Sequence, residues 1–192
     1  QQKQANQIRA IRTFIQQEVD YIVLAPVTET GWDTVLREAK DAGIPVVIVD
    51  RKVDVEDDSL FTCFVGSDFE LEGLKMSEWL NSFSISKGIA PEDIHMEAIR
   101  AAGKRVGSNL AAGDIMILSF DGVSTESMDC VLKDEITCIG ECNPLHGPRV
   151  EALIQILEDG RTPEKFSYVE EGLYAHDDTV TAVTVGDKTY RV

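Results

Sequence analysis

The chain has 192 residues, 34 acidic against 18 basic, for a formal net charge of −16. A surface that acidic repels a phosphate backbone or an anionic bilayer, which argues against nucleic acid and acidic lipid as partners. Apolar residues make up 43%, enough for a real core in one large domain or two small lobes, and the apolar stretches fall far short of the roughly 20 residues that span a bilayer.

The chain opens on Gln1 without Met, inside what reads as a helix, so a processed or incomplete N-terminus is expected; no basic and apolar leader pattern stands there. From Gln2 to Val19, Ile8, Ile11, Phe14, Ile15 and Val19 recur at helical spacing. Tyr21 to Ala25 reads as a strand closed by Pro26, and Thr30-Gly31-Trp32-Asp33 opens a helix whose Val35, Leu36 and Ala39 face inward and which Gly43 ends. The run Ile44 to Val49 is a second strand, completing a βαβ unit. An acidic loop from Lys52 to Ser59 leads to a strand at Leu60 to Val65. Ser67 or Asp68 then caps a helix carrying Leu71, Leu74, Trp79 and Leu80. A loop at Gly88 to Pro91, an apolar piece at Ile94 to Met96 and a helix at Glu97 to Ala102 follow. Strands are expected at Ile115 to Phe120, Ile136 to Ile139 and Phe166 to Val169, with helices at Thr125 to Leu132 and Val150 to Leu157, and the tail from Thr179 forms a hairpin around Gly186-Asp187-Lys188.

Strands made of branched apolar residues without polar alternation belong to parallel sheets covered by helices on both faces, so the fold class is α/β. Such sheets bind ligands beyond the carboxyl ends of their strands. Two strands end there in hydrogen-bonding groups: Asp50-Arg51 and Asp121-Gly122. A carboxylate accepts from two adjacent hydroxyls, and a guanidinium donates through a planar fork, so Asp50 and Arg51 together suit a polyol. The competing readings are a local ion pair or an exposed strand end for Asp50 and Arg51 and a helix cap for Asp121. Glu141-Cys142-Asn143-Pro144 ends a further strand, where Asn143 serves either a ligand or the turn before Pro144. Trp32 either presents an aromatic face to a sugar ring or packs at a helix start.

Cys63, Cys130, Cys138 and Cys142 lack metal-knuckle spacing, and disulfide or free thiol stays open. No HExxH, Gly-x-Ser-x-Gly or phosphate-cradling glycine loop is present. No catalytic residue, cofactor or metal is therefore expected.

The runs Gln7-Ile8-x-x-Ile11, Val19 to Pro26, Thr30-Gly31-Trp32-Asp33, Glu38 to Val46 and Val49-Asp50-Arg51, followed by Val65-Gly66-Ser67-Asp68-Phe69, Ile115 to Gly122 and Glu141-Cys142-Asn143-Pro144 with Gly147-Pro148, resemble the sugar-binding proteins of bacterial ABC importers. The resemblance is to the ribose/galactose-type cluster and, within it, to the galactofuranose-binding proteins. It implies a two-lobed periplasmic binding protein-like I fold that closes on one monosaccharide about a hinge and presents it to a membrane permease. In that family the Asp-Arg pair and the aspartate of the Phe-Asp-Gly turn hold sugar hydroxyls. The implied ligand residues here are Asp50, Arg51, Asp121, Glu141 and Asn143, with Trp32 as an aromatic candidate. The first lobe is expected to comprise residues 1–93 with 143–170 and the second 94–142 with 171–192. A monomer is expected, periplasmic or lipid-anchored at the outer face of the cell membrane.

The chain departs from the family by starting after the first strand and helix and by joining segments near residues 96 and 97 that relatives hold apart. It is expected to be a fragment or to omit stretches present in the protein. Two rival functions remain: the sugar-sensing core of a LacI-type regulator or of a membrane sensor, the regulator needing a basic helix-turn-helix ahead of the core, and a doubly wound sugar-processing enzyme, which would turn its sugar over.

Overall fold

The computed structural model describes residues 3–89, 116–122 and 124–192. In chain order the elements are α1 (Gln4–Gln16), β1 (Ile22–Leu24), α2 (Asp33–Asp41), β2 (Val46–Val49), a 3₁₀ turn (Asp58–Leu60), β3 (Cys63–Gly66), α3 (Phe69–Ser86), β4 (Leu118–Gly122), α4 (Thr125–Leu132), β5 (Cys138–Glu141), α5 (Gly147–Glu158), β6 (Phe166–Tyr168), β7 (Leu173–Ala175), β8 (Ala182–Val185) and β9 (Lys188–Arg191). The apolar piece at Ile94 to Met96, the helix at Glu97 to Ala102, the start of the strand at Ile115, and the expected boundary near residues 93–97 lie outside the described residues.

Two compact units emerge, Gln1–Ser67 with Pro144–Val169 and Asp68–Asn143 with Glu170–Val192. The first holds a four-stranded sheet in the order β1-β2-β3-β6, parallel throughout, with Leu24 beside Ile48, Val49 beside Val65 and Gly66 beside Tyr168. Valine and isoleucine dominate β2 because both of its faces are covered. On one side Ile22, Leu24, Val46 and Ile48 meet Ile11 of α1 and Val35, Leu36 and Ala39 of α2. On the other, Val47, Cys63 and Val65 meet Leu153 of α5. Gly43 ends α2 at φ 75°, the left-handed position that glycine takes most easily.

The second unit contains β4 parallel to β5, β7 antiparallel to β5, and the β8–β9 hairpin. Met76, Trp79, Leu80 and Phe83 of α3 pack against Cys138, Leu173, Val180 and Val183. The Trp79 and Phe83 rings stack at 4.8 Å between centroids. That packing places α3 with the second unit, a correction to the first-lobe assignment of residues 68 to 89.

A second correction concerns the buried face of α3. Leu74 is exposed, whereas Glu72 and Lys75 are buried in line with Met76, Trp79, Leu80 and Phe83. Apolar periodicity alone does not mark the inward stripe, because two of its positions carry charged residues. All four cysteines are free thiols.

Candidate functional site

Asp50 follows β2 directly, with a φ of 71°. Its N–H donates to the Val65 carbonyl at 3.1 Å, and the Arg51 N–H turns back to the Val49 carbonyl at 2.9 Å. A three-residue turn with positive φ at its centre is the rare, strained form; aspartate tolerates the left-handed region better than most residues. Asp121, at the end of β4 in the other unit, repeats the feature with a φ of 63°. Strained backbone of this kind costs on the order of 1–3 kcal/mol and clusters at binding sites, where the surrounding structure holds it in place.

The ion pairs among the described residues join Arg12 to Glu38, Lys40 to Asp57, Lys87 to Asp177 and Arg161 to Asp159, so none links Asp50 to Arg51. Arg51 instead donates from Nη1 to the carbonyls of Val27 at 2.9 Å and Pro26 at 3.4 Å, which ties the exit of β2 to that of β1. α4 is capped by Ser124, whose Oγ accepts from the Ser127 N–H at 3.1 Å in a reciprocal box. Asp121 therefore does not serve as the cap. Both aspartates are exposed at strand ends.

Of the two readings of Trp32, an aromatic face for a sugar ring and packing at a helix start, the structure has the second. Trp32 is 0% exposed, packed in the core of the first unit, and its Nε1 donates to the Thr28 carbonyl at 2.8 Å. A ring with no free face and a satisfied N–H is a packing residue.

Gly66 has a positional role. A Cβ there would lie 2.6 Å from the Phe64 Cζ and 2.7 Å from the Asp50 carbonyl oxygen, so glycine lets the strained turn close against β3. Gly66→Ala is expected to destabilise the first unit by about 1–3 kcal/mol through forced overpacking, measured as a lowered denaturant midpoint; an unchanged midpoint would show that the turn relaxes freely. Just past Arg51, Lys52, Phe61, Phe64, Phe166 and Tyr168 border a cavity of about 230 Å³. The Lys52 Nζ donates to the Tyr168 hydroxyl at 2.6 Å and lies 4.6 Å from that ring's centroid.

In the second unit, Glu141 is committed to the backbone: its Oε2 accepts from the Gly172 N–H at 3.0 Å and from the Tyr174 hydroxyl at 3.3 Å. Burial first, and then the Glu141 charge, raises the Tyr174 pKa. The Asn143 N–H donates to Glu171 Oε1 at 2.7 Å. Sequence reasoning missed the group behind these residues. Glu72 and Lys75 are each 2% exposed and Glu171 is 8% exposed, and the Lys75 Nζ donates to the Glu171 carbonyl at 2.6 Å. The available signal was spacing: Glu72 and Lys75 precede the inward Met76 and Trp79 by one helical turn.

Burial, above all, and then a hydrogen bond with Glu171 and its charge push the Glu72 carboxyl up to about 9; Asp121 adds to the shift and Lys75 opposes it. Folded protein therefore keeps a proton that unfolded chain releases. The stability this contributes is full below the ordinary carboxyl range and lost as pH rises towards about 9. Thermal melts across that window are expected to show Glu72→Gln losing less stability than the parent, because the amide needs no proton. Parallel melting profiles would contradict the shift.

No cluster of His, Cys, Asp and Glu able to hold a metal occurs among the described residues, and no described helix is long and apolar enough to cross a membrane.

Comparisons with known proteins bear on what these strand ends serve. The chain is 55% identical over 80 residues to the galactofuranose-binding protein YtfQ of Escherichia coli (strain K12), a match covering 42% of this chain and 25% of that protein. It thus spans about a quarter of the length of that curated relative. A protein from Mycobacterium smegmatis in complex with β-D-fucofuranose superposes with a TM-score of 0.74 at 26% identity, covering 91% of this chain and 78% of that one. The periplasmic binding protein component of the arabinose ABC transporter from Shewanella sp. ANA-3, bound to α- and β-L-arabinofuranose, superposes with a TM-score of 0.71 at 28% identity, covering 92% and 80%. The family model described as a periplasmic binding protein domain matches residues 1–127, well over half of the chain, and the chain belongs to that family.

Proposed function

We propose that the chain binds a monosaccharide in its furanose form and serves as the substrate-binding component of an ABC importer, outside the cytoplasmic membrane. The observation that carries this reading is the repeated left-handed aspartate at the end of a parallel strand, Asp50 and Asp121. Each projects an acceptor where such sheets take their ligands. Asp50 accepts sugar hydroxyl protons, and Arg51 donates from the guanidinium nitrogens that Val27 and Pro26 do not occupy. A charged partner makes each such hydrogen bond worth roughly twice a neutral one. In the second unit Asp121 is the principal acceptor. Glu141 and Asn143 contribute contacts or hold the neighbouring backbone.

The furanose preference rests on the relatives, which are described as a galactofuranose-binding protein or as holding fucofuranose or arabinofuranose. The transporter role rests on the arabinose ABC transporter component and on family membership. The test is a thermal-shift panel of L-arabinose, methyl galactofuranoside, D-ribose, D-glucose and D-fructose. A ligand that binds only folded protein raises the melting temperature by mass action. A rise confined to sugars that present a furanose supports the reading, and no shift with any sugar at millimolar concentration would overturn it.

A further inference from the structure

Three charged residues of the second unit, Glu72, Lys75 and Glu171, gather behind Asp121 and Asn143, and the proposed function does not use their arrangement. Glu72 and Lys75 come from α3, Glu171 from the segment leading to β7, and Asp121 from the end of β4. Glu72 and Lys75 are each almost completely buried. Glu72 Oε1 has no hydrogen-bond partner among the described residues. Lys75 reaches the Glu171 main chain, not a carboxylate, at 2.6 Å, and its ammonium lies 5.3 Å from the Tyr190 ring centroid. Glu171 Oε1 in turn receives the Asn143 N–H at 2.7 Å.

Two buried carboxyls side by side are stable only when one holds a proton and donates it to the other, because both ionised would repel in a low-dielectric site. Among the described residues Lys75 alone brings positive charge to this group, and one cation cannot neutralise Glu72, Glu171 and Asp121 together.

We propose that Glu72 and Glu171 share one proton and that Glu72 is thereby a positioning residue for the sugar site, holding the Glu171 carboxylate on the Asn143 N–H and keeping a second negative charge away from Asp121. This rests on the sugar-binding reading above. The raised Glu72 pKa agrees with it, with burial as the largest cause. Ionisation of Glu72 places an uncompensated charge beside Asp121 and Glu171, loosens the Asn143 contact and weakens binding of the sugar.

The test has two arms on the full chain. In the absence of ligand, the Asn143 amide resonance is followed by ¹H–¹⁵N NMR as pH is raised through about 9, in the parent and in Glu72→Gln. Its shift is expected to titrate in the parent and to stay flat in the variant. In parallel, L-arabinose is titrated calorimetrically over the same range. Parent affinity is expected to fall at least about tenfold, one pKa unit of coupling, while Glu72→Gln shows no such fall, and Glu72→Ala binds weakly at every pH. Glutamine keeps the donor to Glu171, so the variant separates loss of the proton from loss of the fold. An Asn143 profile identical in parent and variant overturns the shared proton. An Asn143 titration that disappears in Glu72→Gln, with no sugar bound at any pH, overturns the sugar reading and leaves the proton pair standing.

Discussion

Replacing Arg51 by alanine is expected to lower furanose affinity about thirtyfold, roughly 2 kcal/mol, the usual loss when a charge-assisted hydrogen bond is removed. Two effects contribute. The fork proposed to donate to the sugar is gone, and the tie from Nη1 to the Val27 and Pro26 carbonyls no longer holds the exits of β1 and β2 together. Arg51→Lys separates them, since lysine retains charge but not the planar fork. Calorimetric titration with L-arabinose would measure both variants. An Arg51→Ala protein that binds as tightly as the parent would remove Arg51 from the site and restrict it to a structural tie.

Trp32→Ala is expected to cost about 3–5 kcal/mol of stability, the range for deleting a large, fully buried aromatic side chain. The ring is 0% exposed among Val35, Leu36 and other core residues of the first unit, and its removal also leaves the Thr28 carbonyl without the indole N–H. Denaturant unfolding would register the loss as a lower midpoint, and a destabilisation that large leaves a marginal domain partly unfolded. Normal stability with weakened sugar binding would mean instead that the ring faces ligand and that its assignment to the core is mistaken.

The sequence was most informative where one residue type has one physical use. The uninterrupted Ile44 to Val49 run reads as a doubly covered strand, and β2 is covered on both faces. Asp50 and Asp121 stand out because a strand of branched apolar residues ends abruptly in a carboxylate. The signal of Gly186-Asp187 between alternating residues matches the β8–β9 hairpin. Less was legible where contact depends on distant chain. β6 pairs with β3 across a sequence separation of about 100 residues, so the Phe64, Phe166 and Tyr168 cluster has no local trace. Trp32 at a helix start is compatible with either packing or ligand until the third dimension decides. Glu72 and Lys75 escaped because burial is ordinarily inferred from apolarity. A charged residue on the inward stripe is visible only once Met76, Trp79 and Phe83 are seen to define that stripe.

The strain at Asp50 and Asp121 offers a link between fold and function. Neither position requires a left-handed aspartate for the strand itself, and an asparagine or glycine would adopt that φ with less electrostatic cost in so acidic a chain. A carboxylate kept there is consistent with an acceptor aimed at hydroxyl protons.

The most direct measurement is a crystal structure of the chain grown with L-arabinose or methyl galactofuranoside. The account predicts furanose hydroxyl oxygens within about 2.6–3.2 Å of the Asp50 carboxylate and Arg51 guanidinium of the first unit or of the Asp121 carboxylate of the second, ordinary hydrogen-bond distances. A sugar seated away from all three side chains, or bound as a pyranose with Asp50 and Asp121 still facing solvent, would contradict it.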